Sequence, residues 1–194
     1  MRELYRAPSE RALRKQLDHV DVHCARLIAL SPFCLIATHD AAGRADVSPR
    51  GDAPGFVHVL DAKHVALPDR PGNNRLDSLE NILYHPSVGL IFLVPGIQET
   101  LRLNGAAEIR DDEDLRARFV VDGREPATVL VIEVHEAFLH CAKSILRSRL
   151  WEPDVRIERS ALPSMGQMLK DQIGLAEEPE SQDEMLARYA QTLY

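Results

Sequence analysis

Cysteine is scarce in this chain: Cys24, Cys34 and Cys141 are the only three, they stand far apart, and they form no C-x-x-C pair. An odd, scattered set excludes a disulfide framework and a zinc ribbon, and leaves reduced thiols as the expectation. Positive charge is also in deficit. Lys and Arg number 23 against 30 Asp and Glu, a formal net charge of −7, with a pI near 5.6. That balance argues against a general binder of nucleic acid or of anionic membranes. No apolar run reaches membrane-spanning length, and the N-terminal MRELYRAPSERALRKQ lacks the apolar region of a secretory signal. A soluble, cytoplasmic protein with no membrane contact is the expectation. Walker and Rossmann glycine loops are absent, as is the G-x-S-x-G elbow of a serine hydrolase. There is no internal repeat and no low-complexity tract.

What is present suffices for a real core, since 45% of the 194 residues are hydrophobic. Leu13, Leu17, Val20, Cys24, Leu27 and Ile28 recur at helical steps, predicting a helix from Ser9, its cap, to about Leu30. Within it His19 and His23 would stand one turn apart, as a metal pair or as part of a solvated face, and the second reading is adopted. Strands are expected at Phe33–Thr38, Ala45–Ser48, Phe56–Leu60, His64–Leu67, Val88–Val94, Thr100–Ile109 and Ala127–His140. A short helix should carry Leu76, Leu79, Ile82 and Leu83 on one face and stop at His85-Pro86. Further helices are predicted over Asp111–Phe119, Ala142–Leu150, Leu162–Ile173 and Glu184–Leu193. Six or seven strands with few helices between them point to a mostly β chain, a small antiparallel barrel. The expected division is a helical segment over 1–30, the barrel over 31–150 and a helical extension over 151–194.

The chemistry concentrates between Ser48 and Leu76, where two loops rich in Gly, Pro, Asn and Arg flank short apolar runs. Asp69-Arg-Pro-Gly-Asn-Asn-Arg75 joins a strand ending at Pro68 to a helix start, with Asn73 or Asn74 as a natural N-cap. Uncapped N–H groups of that first turn, with Arg70 and Arg75 alongside, suit a phosphate, although a capped helix beside two solvated arginines would read the same. In Val47-Ser-Pro-Arg-Gly-Asp52, Pro49 requires a strand edge or a break, and Gly51 permits close approach to the backbone. Arg50 there could hold a planar ring or a phosphate. Asp52, Asp61 and Asp69 balance Arg50, Lys63, Arg70 and Arg75, so a few placed groups rather than a basic stripe would hold an anion. Lys143, Arg147 and Trp151 fall at four-residue steps and could complete a pocket, in their own subunit or across a dimer. Cys141 beside Lys143 has no His-Asp arrangement to make it a nucleophile.

Taken together, SPFCLIATHDAAGRADVSPRGDAPGFV, LPDRPGNNRLDSLENIL, VGLIFLVPGIQETLRLNGAAEI and HCAKSILRSRLW resemble the pyridoxamine 5′-phosphate oxidase-like class of FMN-binding split barrels, in particular a bacterial branch of FMN-dependent proteins. The resemblance implies a homodimer of six-stranded antiparallel split barrels with FMN at the interface, and a flavin-dependent oxidoreductase. It places Ser48, Arg50, Gly51, Pro68, Arg70, Asn73, Asn74 and Arg75 around the cofactor, and Lys143, Arg147 and Trp151 at the partner's site. Arg50 would face the N1 and O2 edge of the ring, and Arg70, Asn74 and Arg75 the phosphate. The chain departs from pyridoxamine phosphate oxidases proper at Asp46-Val-Ser-Pro-Arg-Gly51, where those carry an Arg-x-x-x-Leu-Leu-Lys-like strand. The resemblance therefore carries the flavin rather than vitamin B6 chemistry. No side chain is an obvious catalytic acid or base and no metal set is evident. The alternative is a non-catalytic flavin or haem module of the same fold, with His58, His64 or His140 as the axial ligand.

Overall fold

The computed structural model describes residues 1–194. Its elements in chain order are α1 (Glu10–Arg14), α2 (Val22–Leu30), β1 (Phe33–His39), β2 (Ala45–Gly51), β3 (His58–Val59) and β4 (His64–Pro68). There follow α3 (Asp77–Tyr84), β5 (Ser87–Leu93), β6 (Thr100–Arg110), α4 (Glu113–Arg116), β7 (Val129–His140), α5 (Lys143–Ser148), α6 (Met165–Ile173) and α7 (Gln182–Thr192). The strands form one sheet in the order β2-β1-β5-β6-β7-β4-β3, with every pairing antiparallel. Its two edges, β2 and β3, do not pair with each other, so the barrel stays open. The sheet has the seven strands that the sequence pattern marked, one more than the six-stranded barrel that the resemblance implied, and β3 is only two residues long. Phe56 and Val57, expected in that strand, are instead buried in the core.

Period-two alternation builds the interior. Cys34 and Ile36 of β1 face inward with Val88, Leu90 and Phe92 of β5, and Ile36 pairs with Leu90 across the ladder. Leu101 and Leu103 of β6 and Leu130, Ile132 and Val134 of β7 continue the same core, which Cys24, Leu27 and Ile28 of α2 and Ile82 of α3 close. The two longest strands, β6 and β7, shift register at Asn104 and Gly105. Only glycine fits that bulge, because a Cβ at Gly105 would run into the carbonyl oxygen of Glu133.

The predicted helix over Ser9–Leu30 is two helices. Ser9 does cap α1, accepting from the Ala12 N–H, and Asp21 caps α2 through the N–H groups of His23 and Cys24. Between them the backbone of Leu17 pairs with Ala137 of β7 at 3.0 and 2.8 Å. That bridge, paired in both directions, overrides a continuous helical pattern. His19 therefore lies in the connection, its Nδ1 2.8 Å from an Asp18 carboxylate oxygen, and does not share a helical face with His23. In α3 only Leu79 and Ile82 reach the core; Leu83 and Leu76 point outward, 76% and 50% exposed. The Asp111–Phe119 stretch is α4 followed by a 3₁₀ turn over Ala117–Phe119. No helix is long and apolar enough to cross a membrane.

Candidate functional site

A cleft of about 860 Å³ opens between β2 and the segment joining β4 to α3, with Arg116 and Glu125–Ala127 on its far wall. Its size falls in the range of small-molecule and cofactor sites. β2 is an edge strand that bonds only to β1, which explains how it tolerates Pro49 in its middle. Asp46, Ser48 and Arg50 are the half-buried residues along it, alternating with exposed ones.

The opposite lip is the loop from Pro68 to Leu76. Asp69 ties its start to the barrel, its N–H donating to the Thr128 carbonyl at 3.0 Å. The expected N-cap at Asn73 or Asn74 is not made. Asn73 spends its side-chain oxygen on the Arg75 N–H (3.1 Å), and α3 begins after Leu76, whose side chain caps nothing. Asn74 and Leu76 both hold left-handed backbone, φ +59° and +60°, with Arg75 between them outside that region. Such conformations cost non-glycine residues about 1–3 kcal/mol each and gather at ligand-binding loops. The turn leads into the first turn of α3, whose N–H groups no side chain caps.

Each cleft arginine has a carboxylate. Arg50 Nη1 lies 2.7 Å from Asp69, with both side chains largely buried. Arg70 donates through Nε to Asp52 (2.7 Å) and through Nη1 to the Phe119 carbonyl (2.8 Å). Arg75 pairs with Asp77 at 2.7 Å on the surface. These partners fix the guanidinium planes and leave other donors free. The Nε of Arg50 is buried without any acceptor, a deficit that an anionic or heteroaromatic ligand would relieve. Burial would raise the Asp52 carboxyl, but the Tyr194 hydroxyl, the Ala53 N–H and the Arg70 guanidinium outweigh it and hold the pKa below the usual value. An orphaned guanidinium N–H, three arginines and an uncapped helix start fit a phosphorylated, ring-bearing cofactor.

Ser48, Arg50, Gly51, Pro68, Arg70, Asn73, Asn74 and Arg75 all line this one cleft. Lys143, Arg147 and Trp151 do not. The helix that was to align them ends at Ser148, because Arg149 turns to φ +53°. Trp151 therefore leaves the row, and its indole N–H donates to the Ile97 carbonyl at 2.8 Å. Lys143 and Arg147 make no ion pair in their own chain. No histidine borders the cleft. His58 stacks on Phe119 at 4.1 Å, His64 holds both oxygens of Asp61 at 3.0 Å, and His140 has a buried, partnerless Nε2. All three cysteines are free. Burial pushes the Cys24 and Cys34 thiols up to about 12, whereas the Lys143 N–H and the charges of Lys143 and Lys15 draw exposed Cys141 down. No three His, Cys, Asp or Glu side chains gather as a metal site.

Sequence reasoning missed two kinds of residue. Asp52 and Asp69 entered it only as counter-charges, although one acid near each arginine was a readable sign of pairing. Tyr194, which reaches Asp52 from the far end of the chain, gave no local signal.

Residues 20–141 match the family model described as pyridoxamine 5′-phosphate oxidase. No curated protein matches the chain. Among solved structures, HupZ of Group A Streptococcus aligns at a TM-score of 0.51 and 19% identity, over 62% of this chain and 93% of that one. A candidate pyridoxamine 5′-phosphate oxidase from Lactobacillus delbrueckii aligns at 0.50 and 24%, over 64% and 98%. At such identities the likeness to these structures is one of fold.

Proposed function

The chain belongs to the pyridoxamine 5′-phosphate oxidase family, and from that premise we propose that it binds FMN in the cleft between β2 and α3 and acts as a flavin-dependent oxidoreductase. The observation that carries the reading is the partnerless, buried Nε of Arg50, which lines the same cleft as the strained Asn74 and Leu76. FMN, when bound, supplies hydride chemistry at its ring. The protein's part is to hold and polarise it. Arg50 would sit by the ring edge where negative charge gathers on reduction. Arg70, Asn74 and Arg75, with the uncapped N–H groups at the start of α3, would hold the phosphate. Ser48 offers a hydroxyl, Gly51 lets the backbone come close, and Pro68 ends β4 at the lip of the cleft. A second copy of the chain would supply Lys143, Arg147 and Trp151, making a homodimer with the cofactor at its interface. The unpaired charges of Lys143 and Arg147 support that assignment. Free thiols throughout support a cytoplasmic setting.

The test is a titration of purified protein with FMN, followed by flavin fluorescence, and then anaerobic addition of NADH or NADPH. Quenching to one FMN per chain, and bleaching of the visible flavin bands by a nicotinamide donor, is the expected result. A protein that leaves FMN fluorescence unchanged would overturn the reading, and bound FMN that neither donor reduces would leave a flavin-binding module.

A further inference from the structure

Residues 159–194 form a unit braced largely by its own contacts. Ser164 and Ser181 cap α6 and α7, the latter with a reciprocal capping box to Glu184. Arg188 grips Glu180 through two bonds of 2.9 and 2.7 Å, Arg159 reaches Gln182 at 2.8 Å, and Gly166 packs so closely on Glu180 that a Cβ there would meet its backbone. The hydrogen bonds that tie this unit to the barrel are made at one residue, Tyr194. Its carbonyl accepts from Arg124, and its hydroxyl donates to Asp52 at 2.7 Å.

That landing point is the candidate site. The Asp52 side chain is 2% exposed, and its two oxygens are shared out: one takes the Tyr194 hydroxyl and the Ala53 N–H, the other the Arg70 Nε. The Tyr194 ring also lies 5.3 Å from the Arg70 guanidinium, within cation–π range. Tyr194 itself does not line the cleft. It stands behind Arg70, so it supports the arginine rather than blocking the ligand.

We infer that Tyr194 is a positioning residue for the phosphate end of the cleft, and that the α6–α7 unit is a strap whose docking and the binding of a phosphorylated ligand favour each other. This inference rests on the reading of the cleft as a phosphate site. It also adds something the family match does not contain, since that match ends at residue 141. The coupling is reciprocal. A strap that fixes Arg70 removes freedom the ligand would otherwise have to remove, and a ligand that fixes Arg70 does the same for the strap.

The test compares the full chain with Tyr194→Phe, which keeps the ring and loses the bond to Asp52, and with Tyr194→Ala, which loses both. FMN affinity is expected to fall about tenfold in Tyr194→Phe and further in Tyr194→Ala, with barrel melting little changed. Amide exchange over 182–192 is expected to slow on adding FMN to the wild type and to be insensitive to it in Tyr194→Ala. Equal FMN affinities in wild type and Tyr194→Ala, or exchange that FMN leaves unchanged in the wild type, would overturn the inference. A wild type that binds no FMN defeats the flavin reading alone. Inorganic pyrophosphate then replaces FMN in the exchange measurement, where slowing in wild type but not in Tyr194→Ala supports the coupling and no slowing overturns it.

Discussion

Carboxylates decide what each cleft arginine can still do. Arg75 and Asp77 form a pair with side chains 72% and 46% exposed, worth about 0–1 kcal/mol. Arg75→Ala should therefore leave the melting temperature almost unchanged while weakening FMN binding by roughly 1–3 kcal/mol, the usual loss of a charge-assisted bond. Isothermal titration beside a thermal melt checks both halves, and unchanged affinity would remove Arg75 from the phosphate site. Asp52 behaves differently because it is buried. Its carboxyl is held below the usual value, so the folded protein binds that proton more weakly than the unfolded chain does. The stability Asp52 contributes is then present above the unfolded carboxyl pKa, about 3.9, and is lost as pH falls below it toward the lower folded value. Melting curves of wild type and Asp52→Asn should differ at neutral pH and converge below about pH 4; a gap constant with pH would contradict this. The arginines were legible because glycine, proline and asparagine around them are local turn chemistry. Tyr194 was not, being 142 positions from Asp52; no window of sequence contains both.

At the scale of elements, the strands were the readable part and the helix ends were not. Alternating burial in β1, β5, β6 and β7 follows directly from alternating side chains, so their positions came out nearly as drawn. The first helix broke because Leu17 pairs with Ala137, a contact 120 residues away that no periodicity reports. α5 stopped early because Arg149 takes a left-handed conformation that its residue type does not announce. The bulge at Gly105 was equally silent, since a glycine in a strand says that something comes close without saying what. Gly105→Ala tests it. A Cβ there meets the backbone of Glu133, which cannot rotate away as a side chain could. Destabilisation of about 3 kcal/mol is expected, read as a lowered denaturant midpoint. Gly43→Ala makes the comparison: it adds a Cβ in open space, with only its positive φ to resist it.

For the whole molecule, β2 gives one side to the cleft and the other to an uncovered apolar surface. Register makes that surface continuous. Pro49 of β2 pairs with Leu35 of β1, and Leu35 with Ile91 of β5. Val47 pairs with Ala37, and Phe33 with Leu93, on either side. These residues alternate with those of the core, so they face away from it, and Phe33, Val47 and Ile91 are 37%, 58% and 36% exposed. A contiguous apolar patch on an otherwise acidic protein is the mark of a protein interface. The proposed homodimer would set a second copy of the chain on this surface, bringing Lys143 and Arg147 to the cleft beside it. Ile91→Lys would place an ammonium within that patch, on the strand next to Leu35. If the patch is buried between copies, the unpaired charge costs several kcal/mol, enough to raise the dimer dissociation constant at least a hundredfold. Light scattering should then find wild type as a dimer and Ile91→Lys as a monomer with an unchanged circular dichroism spectrum. FMN affinity should fall with it, because each site would lose what its partner contributed. A variant that stays dimeric would move the interface elsewhere on the surface. A monomeric variant that binds FMN as tightly as wild type would show that each chain holds its cofactor alone.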